Sequence, residues 1–154
     1  MSVLCSSSLV EATLAHLHEA GQAVRECVVL WLGRREGGQV RVVSAYRPLQ
    51  SAAEDMFQIP PAGMAALHTE LRRNRFMVAA QVHSHPREAF HSRADDRWAI
   101  VRHEGALSLV VPHFASGTTV SNFLQDTKVY RFSSTARWVE VPQSEVEPTW
   151  LQIT

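Results

Sequence analysis

Residues 76–86 read FMVAAQVHSHP, and this stretch decides the fold. Its first part, Phe76 to Val82, is an apolar run typical of a buried strand, and it ends directly at His83. His83 and His85 are separated by one residue, so both side chains project from the same face of a strand. The stretch therefore predicts a buried strand that brings two imidazoles to one place.

A histidine pair of this kind can bind a single cation, since imidazole nitrogens coordinate zinc at about 2.0–2.1 Å. Ser92, Asp95 and Asp96 follow at the start of the next predicted helix, and a carboxylate there can supply a third ligand. Three protein ligands leave one tetrahedral position open for water, as in catalytic zinc sites. Spacing alone does not require a metal, because two histidines at a strand end can arise by chance and Ser92 can simply cap the helix.

The rest of the chain alternates predicted helices and strands. We expect helices at 8–21, 60–74 and 92–105, and strands at 26–33, 40–46, 76–82, 107–111, 129–132 and 137–141. Ser8 and Glu11 form a capping box at the start of the first helix, and Gly21 is a C-terminal stop. These elements predict one α/β domain spanning 1–154, with a mixed sheet flanked by helices and an irregular tail at 142–154.

Composition excludes several classes of function. The chain has 154 residues and a formal net charge of zero, which fits one globular domain and argues against a nucleic-acid partner. The longest apolar run, Cys27 to Leu32, is far shorter than a bilayer span, and the N-terminus lacks the pattern of a signal peptide. We therefore expect a cytoplasmic protein with no membrane partner.

Together, these motifs resemble the JAMM metalloprotease family, also called the JAB or MPN+ domain. Glu26–Gly33 resembles the early strand of that family with its leading glutamate. His83–Pro86 and Ser92–Asp95 resemble its metal-binding segment, and the order of elements matches over residues 8 to 112. The resemblance implies a single JAMM/MPN-type domain with a cytidine deaminase-like fold.

The resemblance also implies a role for each motif residue. His83, His85 and Asp95 would hold Zn²⁺ with a water as the fourth ligand. Glu26 would take a proton from that water and pass it to the leaving amine, and Ser92 would hydrogen-bond the developing oxyanion.

The chain departs from the family in one spacing, with six residues between His85 and Ser92 where seven are usual. If the loop has lost a residue, Asp95 is the ligand. If total spacing governs, Asp96 takes that position and Arg93 replaces the serine. We prefer Asp95, because loops absorb deletions more easily than a helical turn does.

Short single-domain members of the family resemble bacterial enzymes encoded beside ubiquitin-like proteins and their activating and conjugating enzymes, including antiphage systems. Residues 88–96, EAFHSRADD, look most like that subgroup. The implied partner is the C-terminal tail of a ubiquitin-like protein or its conjugates, and the implied reaction is hydrolysis of the isopeptide or peptide bond that follows the tail. One alternative is processing of a sulfur-carrier protein, and another is a non-catalytic scaffold that binds partners.

Overall fold

The computed structural model describes residues 2–93, 95 and 99–154. The helices are α1 (Ser7–Gln22), α2 (Pro61–Asn74), α3 (Phe123–Asp126) and α4 (Gln143–Val146), with a 3₁₀ turn at His113–Ala115. The strands are β1 (Ser2–Cys5), β2 (Val28–Glu36), β3 (Gln39–Tyr46), β4 (Ser51–Ala52), β5 (Phe57–Gln58), β6 (Met77–Ser84), β7 (Leu107–Val111), β8 (Lys128–Phe132), β9 (Trp138–Glu140) and β10 (Leu151–Ile153). No helix in the described part of the chain is both long and apolar enough to cross a membrane.

Eight of the strands found in the described residues form one mixed sheet, in the order β10-β1-β3-β2-β6-β7-β8-β9. Strand β6, which carries His83, lies near the centre, antiparallel to β2 and parallel to β7. Strands β4 and β5 form a separate small hairpin. The mixed sheet flanked by helices confirms the predicted α/β fold.

Each face of the sheet is covered by a long helix. Helix α1 buries Val10, Leu14 and Leu17 in one core, and the indole Nε1 of Trp31 on β2 donates a hydrogen bond to Thr13 Oγ1 at 2.9 Å. Helix α2 packs Leu67 into a second core on the opposite face, together with apolar residues of β2 and β6. Burial on both faces explains why the central strands are continuous apolar runs rather than alternating ones.

The capping box predicted at Ser8 is wrong. Ser6 is the N-cap of α1, and its hydroxyl accepts a hydrogen bond from the Leu9 N–H at 3.3 Å. Gly21 does not stop the helix but lies inside it, where a Cβ would be 2.7 Å from Phe114 Cβ. Glycine is required at this position because another segment packs closely against the helix.

The predicted helix at 92–105 is also wrong over residues 99–105, which are irregular. The Ile100 N–H donates to Gln81 Oε1 at 2.9 Å, and His103 Nε2 lies 3.0 Å from the Val78 carbonyl oxygen. Hydrogen bonds to β6 thus replace the bonds that a helix would form. Trp98, within the predicted helix, lies outside the described residues.

The C-terminal segment is ordered, contrary to the irregular tail expected at 142–154. Strand β10 pairs in parallel with β1, with Leu151 beside Val3. Leu151 is fully buried in the core next to α1. The local pattern could not reveal this strand, since its partner lies at the other end of the chain.

Candidate metal centre

The end of β6 positions the two histidines. His83 pairs with Val28 of β2 and with Val110 of β7, and the His85 N–H donates to the Val111 carbonyl at 2.9 Å. Strand alternation turns both rings to the same face, with ring centroids 5.1 Å apart. His83 is fully buried, and His85 is nearly so. The structure therefore brings the predicted pair together inside the protein.

A tight helical turn delivers the carboxylate. The Asp95 N–H donates to Ser92 Oγ at 3.0 Å, and the Ser92 N–H donates to Asp95 Oδ2 at 2.7 Å. These reciprocal bonds make Ser92 a cap, which is one of the two roles considered for it. Asp95 is 5% exposed, so the turn places a carboxylate in the interior.

Both histidines face this carboxylate. Asp95 Oδ1 lies 3.2 Å from His83 Nε2, and Oδ2 lies 3.1 Å from His85 Nε2. Two ligands bound at 2.0–2.1 Å on a tetrahedral ion would be ~3.3 Å apart, close to both distances. Neither ring nitrogen of His83 has a hydrogen-bond partner among the described residues, although both are buried. Buried polar atoms of this kind need a partner, and the donor set is compatible with a metal ion.

The charge state of Asp95 suits a ligand. Burial alone would raise the pKa of its carboxyl group, but the electrostatic interaction with His83, together with the hydrogen bonds from His85 and the Ser92 N–H, outweighs burial. The pKa is therefore held well below its usual range. A carboxylate that stays ionised is ready to bind a cation.

Glu26 is placed opposite His85 by the pairing of β2 with β6. Ser84, between the two histidines, accepts a hydrogen bond from the Cys27 N–H through its hydroxyl at 3.1 Å and donates its own N–H to the Cys27 carbonyl at 3.1 Å. The Glu26 N–H donates to the Ala53 carbonyl at 2.8 Å. As a result Glu26 Oε1 lies 3.7 Å from His85 Nε2.

The surroundings of Glu26 favour its neutral form. Burial raises the pKa of its carboxyl group to about 8, and the negative charges of Asp95 and Asp55 add to the effect. A cation held by the neighbouring histidines would instead favour the carboxylate. A carboxyl group that can change protonation near neutral pH can act as a general acid and base.

An open cleft of about 570 Å³ leads to these residues. Glu26, His85, Phe90 and Ser92 are among the residues that line it, and Phe90 is 53% exposed. The Phe90 ring stands nearly perpendicular to the His85 ring, with centroids 4.7 Å apart. Phe90 was not predicted as a site residue; the only sequence signal was an aromatic residue within a polar loop.

His91 packs between His83 and the aromatic side chains of β8 and β9. Its ring centroid is 6.3 Å from that of His83 and 5.1 and 5.2 Å from those of Tyr130 and Trp138. The His91 N–H donates to Tyr130 Oη at 3.2 Å. The hairpin formed by β8 and β9 thus supports the chain that leads into Ser92, a contact that sequence spacing did not reveal.

Asp95 is the carboxylate that the structure brings to both histidines. The position of Asp95 favours the loss of one residue from the loop between His85 and Ser92 over a shift of the ligand to Asp96. Asp96 lies outside the described residues.

Comparison with known proteins agrees with this geometry. Residues 6–127 match the family described as prokaryotic homologs of the JAB domain. A probable metalloprotease, y4jG, from Sinorhizobium fredii (strain NBRC 101917 / NGR234) is 32% identical over an alignment of 139 residues that covers 88% of this chain and 84% of that protein. The chain therefore belongs to the JAB family.

A solved structure shares the fold. The solution structure of protein DSY2949 from Desulfitobacterium hafniense superposes with a TM-score of 0.69 at 20% identity, over 99% of this chain and 92% of that one. Family membership and the buried His83–His85–Asp95 cluster together fit a JAMM-type metallopeptidase.

Proposed function

We propose that the protein is a zinc-dependent peptidase that cleaves after the C-terminus of a bacterial ubiquitin-like protein. The bond hydrolysed is an isopeptide bond to a lysine or the peptide bond of a precursor. The observation that carries the catalytic part is the position of Glu26, which lines an open cleft and whose Oε1 lies 3.7 Å from His85 Nε2 of the buried cluster.

Zn²⁺ is the proposed cofactor, held by His83, His85 and Asp95. When bound, Zn²⁺ acts as a Lewis acid, which polarises the scissile carbonyl and lowers the pKa of water to about 7. Glu26 accepts the proton of the attacking water and then donates it to the leaving amine. Ser92 also lines the cleft, and its hydroxyl donates a hydrogen bond to the carbonyl oxygen as negative charge develops there. Histidine and carboxylate ligands also suit Fe²⁺, so metal analysis must accompany any activity measurement.

A strand edge next to the cleft supports an extended peptide as the substrate. Among the described residues, β4 pairs with β5 and with no other strand, so its second edge is open. Ala53, directly after β4, lines the cleft. A peptide tail can add to such an edge through backbone hydrogen bonds. Phe90 and Met56 are 53% and 40% exposed and offer apolar contacts for a protein partner.

Cleavage of a fusion tests the proposal. The cognate ubiquitin-like protein is joined through its C-terminus to a folded reporter, and we expect cleavage at the junction that stops on zinc chelation and returns on zinc addition. The Glu26→Gln variant should bind zinc and leave the fusion intact. Cleavage of a sulfur-carrier extension instead would favour the first alternative, and zinc-bound protein that captures conjugates without cleaving any of them would favour the scaffold.

The cellular setting follows from the same substrate. We propose cytoplasmic action together with the cognate activating and conjugating enzymes, with antiphage defence as the process served. Conjugates of the ubiquitin-like protein should accumulate in cells that carry the Glu26→Gln variant. An unchanged conjugate pattern, with the variant expressed at wild-type level, would contradict this setting.

A further inference from the structure

A short segment directly after β7 has an unusual backbone. His113, Phe114 and Ala115 have φ angles of 53°, 52° and 60°, all in the left-handed region, and none of the three is a glycine. The left-handed conformation costs roughly 1–2 kcal/mol for each such residue. Three in succession persist only where the surrounding structure compensates for the strain.

One side of this left-handed turn faces the chain that follows β6. The Phe114 N–H donates to the His85 carbonyl at 2.7 Å, and the His113 N–H donates to the Arg87 carbonyl at 2.8 Å. Both bonds go to His85–Arg87, which we call the metal loop. The unusual backbone aims two successive N–H groups at the loop that carries one of the proposed zinc ligands.

The other side of the turn is held by α1. A Cβ on Gly21 would lie 2.7 Å from Phe114 Cβ and 3.0 Å from the Phe114 carbonyl oxygen, so the two backbones are in close contact. His18 Nε2, one turn earlier on the helix, lies within hydrogen-bond distance of the Ala115 carbonyl. The turn is therefore fixed between α1 and the metal loop.

We propose that Gly21 and the left-handed turn are a positioning device for the metal centre. Close packing of Gly21 against Phe114 seats the turn, which then sets the position of the His85 backbone. This inference rests on the proposed metal function. Gly21, a helix residue with no contact to the cluster in the described structure, then controls metal affinity.

Two glycine-to-alanine variants test the proposal. Gly21→Ala pushes on Phe114 and should weaken zinc binding by about tenfold or more. Gly33→Ala is the matched control, because its Cβ would lie 2.4 Å from the Arg41 carbonyl oxygen, far along β2 from the metal loop. It should lower thermal stability yet leave zinc affinity unchanged.

Zinc affinity is measured by competition with a chromophoric chelator, below the unfolding transition of every variant. Cobalt substitution gives a second readout, because the d–d absorption of Co²⁺ reports its coordination. We expect an altered cobalt spectrum for Gly21→Ala and a wild-type spectrum for Gly33→Ala. Equal zinc affinity in the wild type and Gly21→Ala would overturn the inference, as would an equal loss in both glycine variants.

A rescue variant separates positioning from general damage. Phe114→Gly removes the Cβ that Gly21→Ala would strike, keeps the N–H that binds His85 and favours a positive φ. The double variant should therefore recover most of the lost zinc affinity, and failure to recover any would contradict the mechanism.

A milder substitution, His18→Ala, tests the inference if Gly21→Ala does not fold. His18→Ala removes only the bond to Ala115, and we expect zinc binding several-fold weaker; unchanged affinity would then overturn the inference. A wild-type protein that takes up no zinc overturns the proposed function and this inference together. A wild-type protein that binds zinc, with unchanged affinity in Gly21→Ala or, where that variant does not fold, in His18→Ala, overturns the inference alone.

Discussion

Glu26→Gln is expected to remove catalysis while stabilising the metal-free protein. The amide cannot accept a proton from water, so turnover should fall by about 10²–10⁴-fold, the usual contribution of a positioned general base. The side chain keeps its size in a site where Glu26 is 3% exposed, so the fold should persist. Zinc content should also persist, because Glu26 is not one of the three clustered ligands.

The stabilising effect follows from burial of the carboxyl group. Its pKa rises from 4.5 to about 8 in the folded, metal-free chain. The proton on Glu26 therefore contributes stability that is fully present below about pH 4.5 and is lost as the pH rises through 8. The whole shift corresponds to ~4–5 kcal/mol at 1.36 kcal/mol per unit, and water in the open cleft should reduce this to ~2 kcal/mol.

Glutamine does not titrate. The free energy of unfolding of the variant, relative to that of the wild type, should therefore increase as the pH rises from 5 to 8. Urea unfolding of both proteins in excess chelator, at four pH values, measures the difference. Glu11→Gln, at an exposed position on α1, is the matched control and should follow the wild type. Parallel curves for wild type and Glu26→Gln would refute the reasoning, and near-normal turnover would show that another group is the base.

Three further substitutions test other parts of the structure. Asp95→Asn should abolish zinc binding and cleavage, while Asp96→Asn should retain both; the reverse result in elemental analysis would move the ligand one residue along. Val24→Gly should raise the unfolding free energy by ~1 kcal/mol, because Val24 is a β-branched residue at φ 56°, and a lower melting temperature would contradict this. Leu151→Ala should cost ~2–4 kcal/mol in urea unfolding, since Leu151 is fully buried in β10; a change below ~0.5 kcal/mol would argue against an ordered tail.

Local patterns were sufficient to predict the central elements of the fold. Strand β7 has the predicted bounds, and the hairpins of β2 with β3 and of β8 with β9 are present. Each depends on a continuous apolar run or on a turn between neighbouring strands. Features fixed by partners distant in the chain were missed, notably the pairing of β1 with β10 and the hydrogen bonds that hold residues 99–105 on β6.

In the candidate site, too, the features set by local sequence were predicted and those set by distant partners were not. The spacing of His83 and His85 predicts a shared face because alternation is a local property of a strand. Glu26 became notable only through the family resemblance; its position depends on antiparallel pairing and on the Ser84 hydroxyl that receives the Cys27 N–H. Phe90 and the left-handed turn after Pro112 have no comparable sequence signal, since neither contains a glycine or a motif residue.

Metal content tests the central claim most directly. The wild-type protein and His83→Ala are purified without chelators and analysed for divalent metals. We expect one zinc per wild-type chain and far less in the variant, because removal of one of three protein ligands leaves a poor site. Wild-type protein that holds no divalent metal and takes up none when zinc is added would contradict the assignment of His83, His85 and Asp95 as a metal centre.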